Sequence, residues 1–299
     1  MASPEFYELL KKLRARVRPE NPAIDQLRAG FATLAKQYPA APDAVFERVD
    51  AAGVLAEWVS IEGRSRQPVI LYFHGGGYCI GSAETHRDLV SRMCRAAKAR
   101  ALSVDYRLAP ENPHPAAVED GVAAYRWLRK QSVPARSIVV AGDSAGGGLT
   151  LATLLALRDA GDELPAAGIC ISPVTDLAKE GESMRTKVDL DPTVNPKSST
   201  RYAQMYIGGG DTKTPLASPL YATLKGLPPL LILVGTSEVL LDDSTRFAKK
   251  AKEVGLNCEL EVWEEMVHIW PFFAAELPEG RQAIDRMAAF IGKHAVTGV

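Results

Sequence analysis

Residues 138–149 read Ile-Val-Val-Ala-Gly-Asp-Ser-Ala-Gly-Gly-Gly-Leu. An apolar run of strand type ends at Gly142, and a tight turn at Asp143-Ser144-Ala145-Gly146 leads into small and then apolar residues that suit a helix. Gly-x-Ser-x-Gly between a strand and a helix presents a serine hydroxyl on a strained turn. The residues two before and two after it must be glycine to avoid clashes. The start of the following helix offers free N–H groups and a positive dipole end to a developing oxyanion. Glycine-rich turns of this kind also bind phosphate, but here the sequence argues against it. No Lys follows the glycines as a P-loop requires, and neither Gly142–Gly148 nor Gly75–Gly81 has the Gly-x-Gly-x-x-Gly spacing of a dinucleotide site.

Outward from this turn the chain alternates short apolar runs with helical stretches. The runs are 45–50, 54–60, 69–74, 101–106, 138–142, 168–172, 230–235 and 258–263, and the helices fall near 85–100, 116–131, 145–160, 243–255 and 279–294. Continuous apolar runs separated by helices predict a mostly parallel sheet of about eight strands, buried on both faces. The first two runs, joined at Ala51-Ala52-Gly53, predict an antiparallel hairpin. Two segments stand outside the alternation. Ser3-Pro4 opens a stripe of Phe6, Leu9, Leu13 and Val17, and a second stripe of Ile24, Leu27, Phe31, Leu34 and Tyr38 follows Pro22. Residues 177–228, rich in Pro, Gly, Lys and Asp, contain one helical stretch near 197–207 and no strand; a break that long is functional or a lid.

The whole-chain numbers are those of an ordinary globular protein of 299 residues, 46% hydrophobic and 24% charged. A formal charge of -1 argues against a basic nucleic-acid surface and favours a small, roughly neutral partner. Cys79, Cys94, Cys170 and Cys258 are scattered, with neither C-x-x-C nor a Cys/His cluster, so we expect reduced thiols and no metal. Residues 1–18 alternate apolar and charged positions without a continuous apolar core. We therefore expect no signal peptide, no membrane span and a cytoplasmic location.

A serine nucleophile needs donors, a base and an acid. His74-Gly75-Gly76-Gly77 ends the run that starts at Val69. Its glycines let the backbone approach a carbonyl, and with the N–H of Ala145 they would form an oxyanion hole. His74 reads as structural. The chain order around such a turn is Ser, acid, His. Of His74, His86, His114, His268 and His294, three precede Ser144 and His294 falls in a final surface helix. His268 follows the last apolar run at its C-terminal end, where α/β sites assemble, and is the base. The acid lies in Thr236-Ser237-Glu238-Val239-Leu240-Leu241-Asp242-Asp243, after the run Leu230–Gly235. Glu238 is favoured because it comes first after the strand. Asp242 and Asp243 stay open as alternatives, each suited to the first turn of the next helix.

His74-Gly75-Gly76-Gly77, then Asp105-Tyr106-Arg107-Leu108-Ala109-Pro110-Glu111, then Gly142-Asp143-Ser144-Ala145-Gly146-Gly147 closely resemble the bacterial hormone-sensitive-lipase-like (family IV) esterases over about residues 45–295. The resemblance implies an α/β-hydrolase fold with a helical cap, built from the N-terminus and an insertion after the sixth strand. It further implies short-acyl carboxylester substrates, no cofactor, and a homodimer through the last strand. By the same resemblance Asp143 is structural or adjacent to substrate, and Tyr106–Glu111 is a scaffold for the oxyanion loop. From the sequence alone, Arg107 and Glu111 read as a surface ion pair. Two departures stand out. Glu238-Val239-Leu240 replaces the usual Asp-Pro-Leu, and Ile269-Trp270 replaces the usual Gly-Phe after the histidine. Ile269 would then narrow the alcohol side of the substrate pocket, or simply pack.

The sequence is thus read as cap (1–44), core (45–176), cap insertion (177–213) and core (214–299). The expected function is hydrolysis of short- to medium-chain acyl esters through Ser144, Glu238 and His268 and an acyl-enzyme. An amidase or peptidase on the same fold, or a ligand receptor on a degenerate scaffold, are the alternatives.

Overall fold

The computed structural model describes residues 1–16, 22–63 and 68–296. Val17 of the first stripe lies outside them. Eight strands form one sheet in the order β1-β2-β4-β3-β5-β6-β7-β8. They are β1 (Ala44–Asp50), β2 (Leu55–Ile61), β3 (Val69–Phe73), β4 (Arg100–Val104), β5 (Ile138–Asp143), β6 (Ala167–Ile171), β7 (Leu230–Gly235) and β8 (Cys258–Trp263). β1 and β2 form the expected hairpin, and β2 also pairs antiparallel with β4; the remaining pairs are parallel.

Side-chain alternation divides the core in two. Val69, Leu71, Phe73, Ile138, Val140, Leu230 and Ile232 point to one face, where they meet α4 (Ala116–Lys130), α5 (Ala145–Asp159) and α8 (Leu241–Glu253). Ile70, Tyr72, Val139, Ala141, Ile169 and Leu231 point to the other, against α3 (Arg87–Ala97) and α9 (Pro278–His294). The helix behind the Gly-x-Ser-x-Gly turn, α5, is buried without a break from Ala145 to Leu155, which is why its sequence is apolar on every side.

The first two helices and the 183–207 part of the long break touch loops that follow the strands. α1 (Pro4–Arg14) is capped by Ser3 Oγ, which accepts from Phe6 N at 3.2 Å. It buries Phe6, Leu9 and Leu13, roughly 1.5–3 kcal/mol of hydrophobic stabilisation each. Polar bonds run from Ser3 to Glu279, from Tyr7 to Glu265 and from Lys12 to Glu276, and fix α1 on the segment after β8. α2 (Ile24–Ala35) buries no residue fully; Phe31 stacks on Phe272, ring centroids 6.0 Å apart. Between β6 and β7 lie α6 (Ser183–Thr186) and α7 (Pro196–Ile207). Asn195 caps α7, and its Tyr206 lies flat on Tyr78, 3.7 Å between centroids.

Candidate active site

Ser144 sits at φ 53° and ψ −118°, between β5 and α5. A β-carbon on Gly142 would lie 2.3 Å from Gly146 O, and one on Gly146 would lie 2.0 Å from Phe73 O. The turn therefore closes against β3 only with glycine at both places. A left-handed serine costs about 1–3 kcal/mol, and the surrounding bonds hold it: Ser144 N donates to Ile171 O at 2.8 Å, and its carbonyl accepts from Val174 N at 2.9 Å.

His268 Nε2 lies 2.9 Å from Ser144 Oγ, and His268 Nδ1 lies 2.9 Å from Glu238 Oε2. Glu238 is fully buried. Its other oxygen accepts from Ser172 Oγ at 2.8 Å and Gly235 N at 2.6 Å. The longer side chain of glutamate folds back over the end of β7 and is braced on its own strand. The two competing acids are engaged elsewhere. Asp242 Oδ2 accepts from Ser183 N, and Asp243 Oδ2 accepts from Thr175 N and Asp176 N. Burial alone would lower the pKa of His268, but the hydrogen bond and charge of Glu238 outweigh it and hold the imidazole above its usual value. Burial raises the Glu238 carboxyl, partly offset by His268 and the Gly235 N–H.

The glycine loop divides by orientation. The N–H groups of Gly76, Gly77 and Ala145 have no acceptor among the described residues. Gly75 departs from the expectation: its N–H donates to Asp143 Oδ1 at 3.0 Å, and so is not an oxyanion donor. Of the two places expected for Asp143, structural or adjacent to substrate, it takes the structural one. Its carboxylate is fully buried, accepts from Tyr72 Oη at 2.7 Å and lies 3.4 Å from His86 Nε2, which makes it a brace beneath the loop rather than a substrate contact. Burial alone would raise its pKa, but His86 and the hydrogen bond from Tyr72 hold it below the usual value. Strand alternation carries the signal for this, because Asp143 shares a sheet face with Ala141 and Val139.

His74 is buried and neutral: burial pushes its pKa down to about 3, and its ring stacks on Tyr106 at 4.3 Å. Tyr106 Oη donates to His74 O at 2.8 Å, and Ala109 N donates to Tyr78 O at 2.9 Å, so the 105–111 segment scaffolds the loop. The pairing of Arg107 with Glu111 does not form. Arg107 binds Asp120 and Glu119, while Glu111 binds Arg28 of α2. In its own segment Glu111 faces outward toward the N-terminal helices, which sequence spacing cannot show.

Two polar residues escape the sequence reading. Ser172, at φ 47°, donates to Glu238 and accepts from Ile269 N at 3.2 Å, so one hydroxyl links the acid to the residue after His268. Its only sequence signal is a polar residue closing an apolar run beside the nucleophile's strand. Asp191, between α6 and α7, accepts from Val239 N at 3.0 Å, and its charge helps to raise His268. Ile269 itself is left-handed at φ 49°, unusual for a β-branched residue. Among the described residues no cluster of three His, Cys, Asp or Glu could hold a metal ion, and no helix is long and apolar enough to cross a membrane.

A serine, histidine and carboxylate in line, on this sheet order, call for comparison with known proteins. The family described as the alpha/beta hydrolase fold matches residues 70–272. An acetyl-hydrolase of Streptomyces hygroscopicus is 44% identical over 97% of this chain and 97% of its own. A crystal structure of an esterase from the bacterial hormone-sensitive lipase family superposes with a TM-score of 0.95, at 45% identity over 99% of this chain and 100% of that one. The chain belongs to this family of α/β hydrolases. Another similar structure is EstE5 soaked with p-nitrophenyl butyrate, with a TM-score of 0.94 and 48% identity over 98% of this chain and 99% of that one. The α/β-hydrolase sheet and the hormone-sensitive-lipase-like membership are as the motifs imply.

Proposed function

We propose that this serine carboxylesterase works through Ser144 as nucleophile, His268 as base and Glu238 as the acid that orients it. The observation that carries the reading is the unbroken relay of 2.9 Å from Ser144 Oγ to His268 and 2.9 Å from His268 to Glu238. His268 Nε2 takes the Ser144 proton as Oγ attacks the ester carbonyl. The N–H groups of Gly76, Gly77 and Ala145 receive the oxyanion. His268 then protonates the leaving alcohol, and water repeats the cycle on the acyl-enzyme. Glu238 fixes the tautomer with Nδ1 protonated and offsets the transient imidazolium.

We also propose that residues 1–44 and 177–213 form a cap over this site. The docking of α1 on the segment after β8, of α2 beside the oxyanion loop and of Tyr206 on Tyr78 supports it. A cap of helices over one nucleophile makes a closed pocket, suited to short and medium acyl chains. Ile269, anchored by its N–H next to His268, would narrow the alcohol side. The acetyl-hydrolase relative and the butyrate ester soaked into a similar structure both concern short acyl groups. Four cysteines without a disulfide fit a cytoplasmic location, and β8 at the edge of the sheet offers a surface for a homodimer.

The test is a series of chromogenic esters of increasing acyl length, with matched amides and a Ser144→Ala control. Each added methylene contributes about 0.8 kcal/mol while there is room. Turnover should rise and then fall within short to medium chains, amides should be poor substrates, and the control should be inactive. Undiminished turnover of long-chain esters would remove the closed pocket, and amide turnover equal to ester turnover would remove the esterase assignment.

A further inference from the structure

We propose that Arg28, on a helix that precedes the whole sheet, is a positioning residue for the oxyanion loop, so that the N-terminal segment sets the turnover number. The proposal rests on the reading of Gly76, Gly77 and Ala145 as the oxyanion donors.

One guanidinium grips both layers of the loop. Arg28 Nε donates to Cys79 O at 3.0 Å, and Nη2 donates to Ala109 O at 3.2 Å. The fork is closed by Glu111, which accepts from Nη1 at 2.8 Å and from Nη2 at 2.7 Å. Cys79 belongs to the same turn as the donors: its N–H and that of Ile80 both donate to Gly76 O, at 3.1 and 3.0 Å. Ala109 belongs to the segment laid against that turn, joined to it by the bond from Ala109 N to Tyr78 O.

Gly76 and Gly77 have positive φ, +118° and +62°, and glycine has no side chain to restrict either torsion. An oxyanion hole works only if its donors are fixed before charge develops. The rigidity must therefore come from outside the glycines. Below the loop, Gly75 is held by Asp143; the Cys79 end is held by Arg28.

The magnitudes favour positioning over bulk stability. The Arg28 and Glu111 side chains are 28% and 52% exposed, so as an ion pair they contribute little to folding. A lost oxyanion donor, by contrast, lowers turnover about a hundred- to a thousandfold, so a modest drift of two donors is felt in kcat. Lysine could replace only part of the contact, because a single ammonium lacks the planar fork that meets a carboxylate and two carbonyls together.

The experiment uses full-length Arg28→Ala and Arg28→Lys with p-nitrophenyl butyrate, with and without millimolar methylguanidinium. Binding of a trifluoromethyl ketone, whose carbonyl accepts the Ser144 oxygen and becomes an oxyanion, is measured alongside. Arg28→Ala should lose about tenfold or more in kcat with KM changed less than about threefold, as expected for an interaction made in the transition state. Arg28→Lys should fall between it and wild type. Methylguanidinium should restore part of the kcat of Arg28→Ala and leave wild type unchanged, and the ketone should weaken in step with kcat/KM. If Arg28→Ala does not fold, the Arg28→Lys kcat and ketone affinity decide. A kcat within about twofold of wild type, a loss confined to KM, or no response to methylguanidinium overturns the proposal. A wild-type protein that turns over the ester but does not bind the ketone would instead overturn the oxyanion reading beneath it.

Discussion

Glu238 Oε2 lies 2.9 Å from His268 Nδ1, whereas Asp242, four residues further on, turns its carboxylate to the backbone of Ser183. The acid that stands first after β7 meets the histidine, and the acid in the first turn of α8 holds the insertion. Glu238→Ala should therefore cost about two or more decades in kcat, as expected when the residue that orients a catalytic imidazole is lost. Asp242→Ala should keep most of the turnover and lower the thermal midpoint instead, because Ser183 N loses its acceptor. Steady-state kinetics and thermal unfolding of the two variants check this. A crippled Asp242→Ala beside a near-normal Glu238→Ala would reverse the assignment.

The pH dependence follows from the same pair. As the proposed base, His268 must be neutral to accept the Ser144 proton; burial lowers its pKa, but Glu238, Asp191 and Asp143 hold it above its ordinary value of 6.5. kcat/KM should rise through one ionisation on the alkaline side of that value and then stay level into mild alkali. In Glu238→Gln the largest raising influence is gone and the lowering effect of burial remains. The acid limb should then move to lower pH even as turnover falls. A limb that stays in place in Glu238→Gln would mean that a different group controls it.

Ser172 gives a third expectation. Its hydroxyl donates to Glu238 and receives the Ile269 N–H. Ser172→Ala leaves that N–H without its partner, which costs about 1–3 kcal/mol if no water replaces it. The Glu238 carboxylate also loses one of its two outer donors. We expect a lower melting temperature together with roughly tenfold lower kcat. Normal kcat in a destabilised Ser172→Ala would make the residue a structural brace alone.

The fold is written in the apolar runs because a parallel sheet buried on both faces needs nearly continuous apolar strands, and each expected run matches a strand to within about two residues. Ser144 is legible because its turn demands glycines at fixed offsets. His268 is legible because so few histidines follow it or Ser144. What stays hidden is orientation. Gly75 and Gly76 are the same residue type in one loop, yet the N–H of Gly75 turns to Asp143. Ser172, Asp191 and Arg28 reach the site from loops and from a helix 51 residues before Cys79, and no local pattern records where those loops return. The partner of Glu111 is hidden for the same reason: sequence proximity offers Arg107, and the tertiary fold supplies Arg28.

The proposed mechanism requires an acyl group held covalently on Ser144. The direct measurement is intact-protein and peptide mass spectrometry after rapid acid quench during turnover of p-nitrophenyl butyrate, with a fluorophosphonate probe in parallel. One butyryl group and one phosphonyl group should be found, each on the peptide containing Ser144. Ser144→Ala should give neither, and His268→Ala should slow both. An adduct mapped to another residue, or ester turnover that persists in Ser144→Ala, would contradict it.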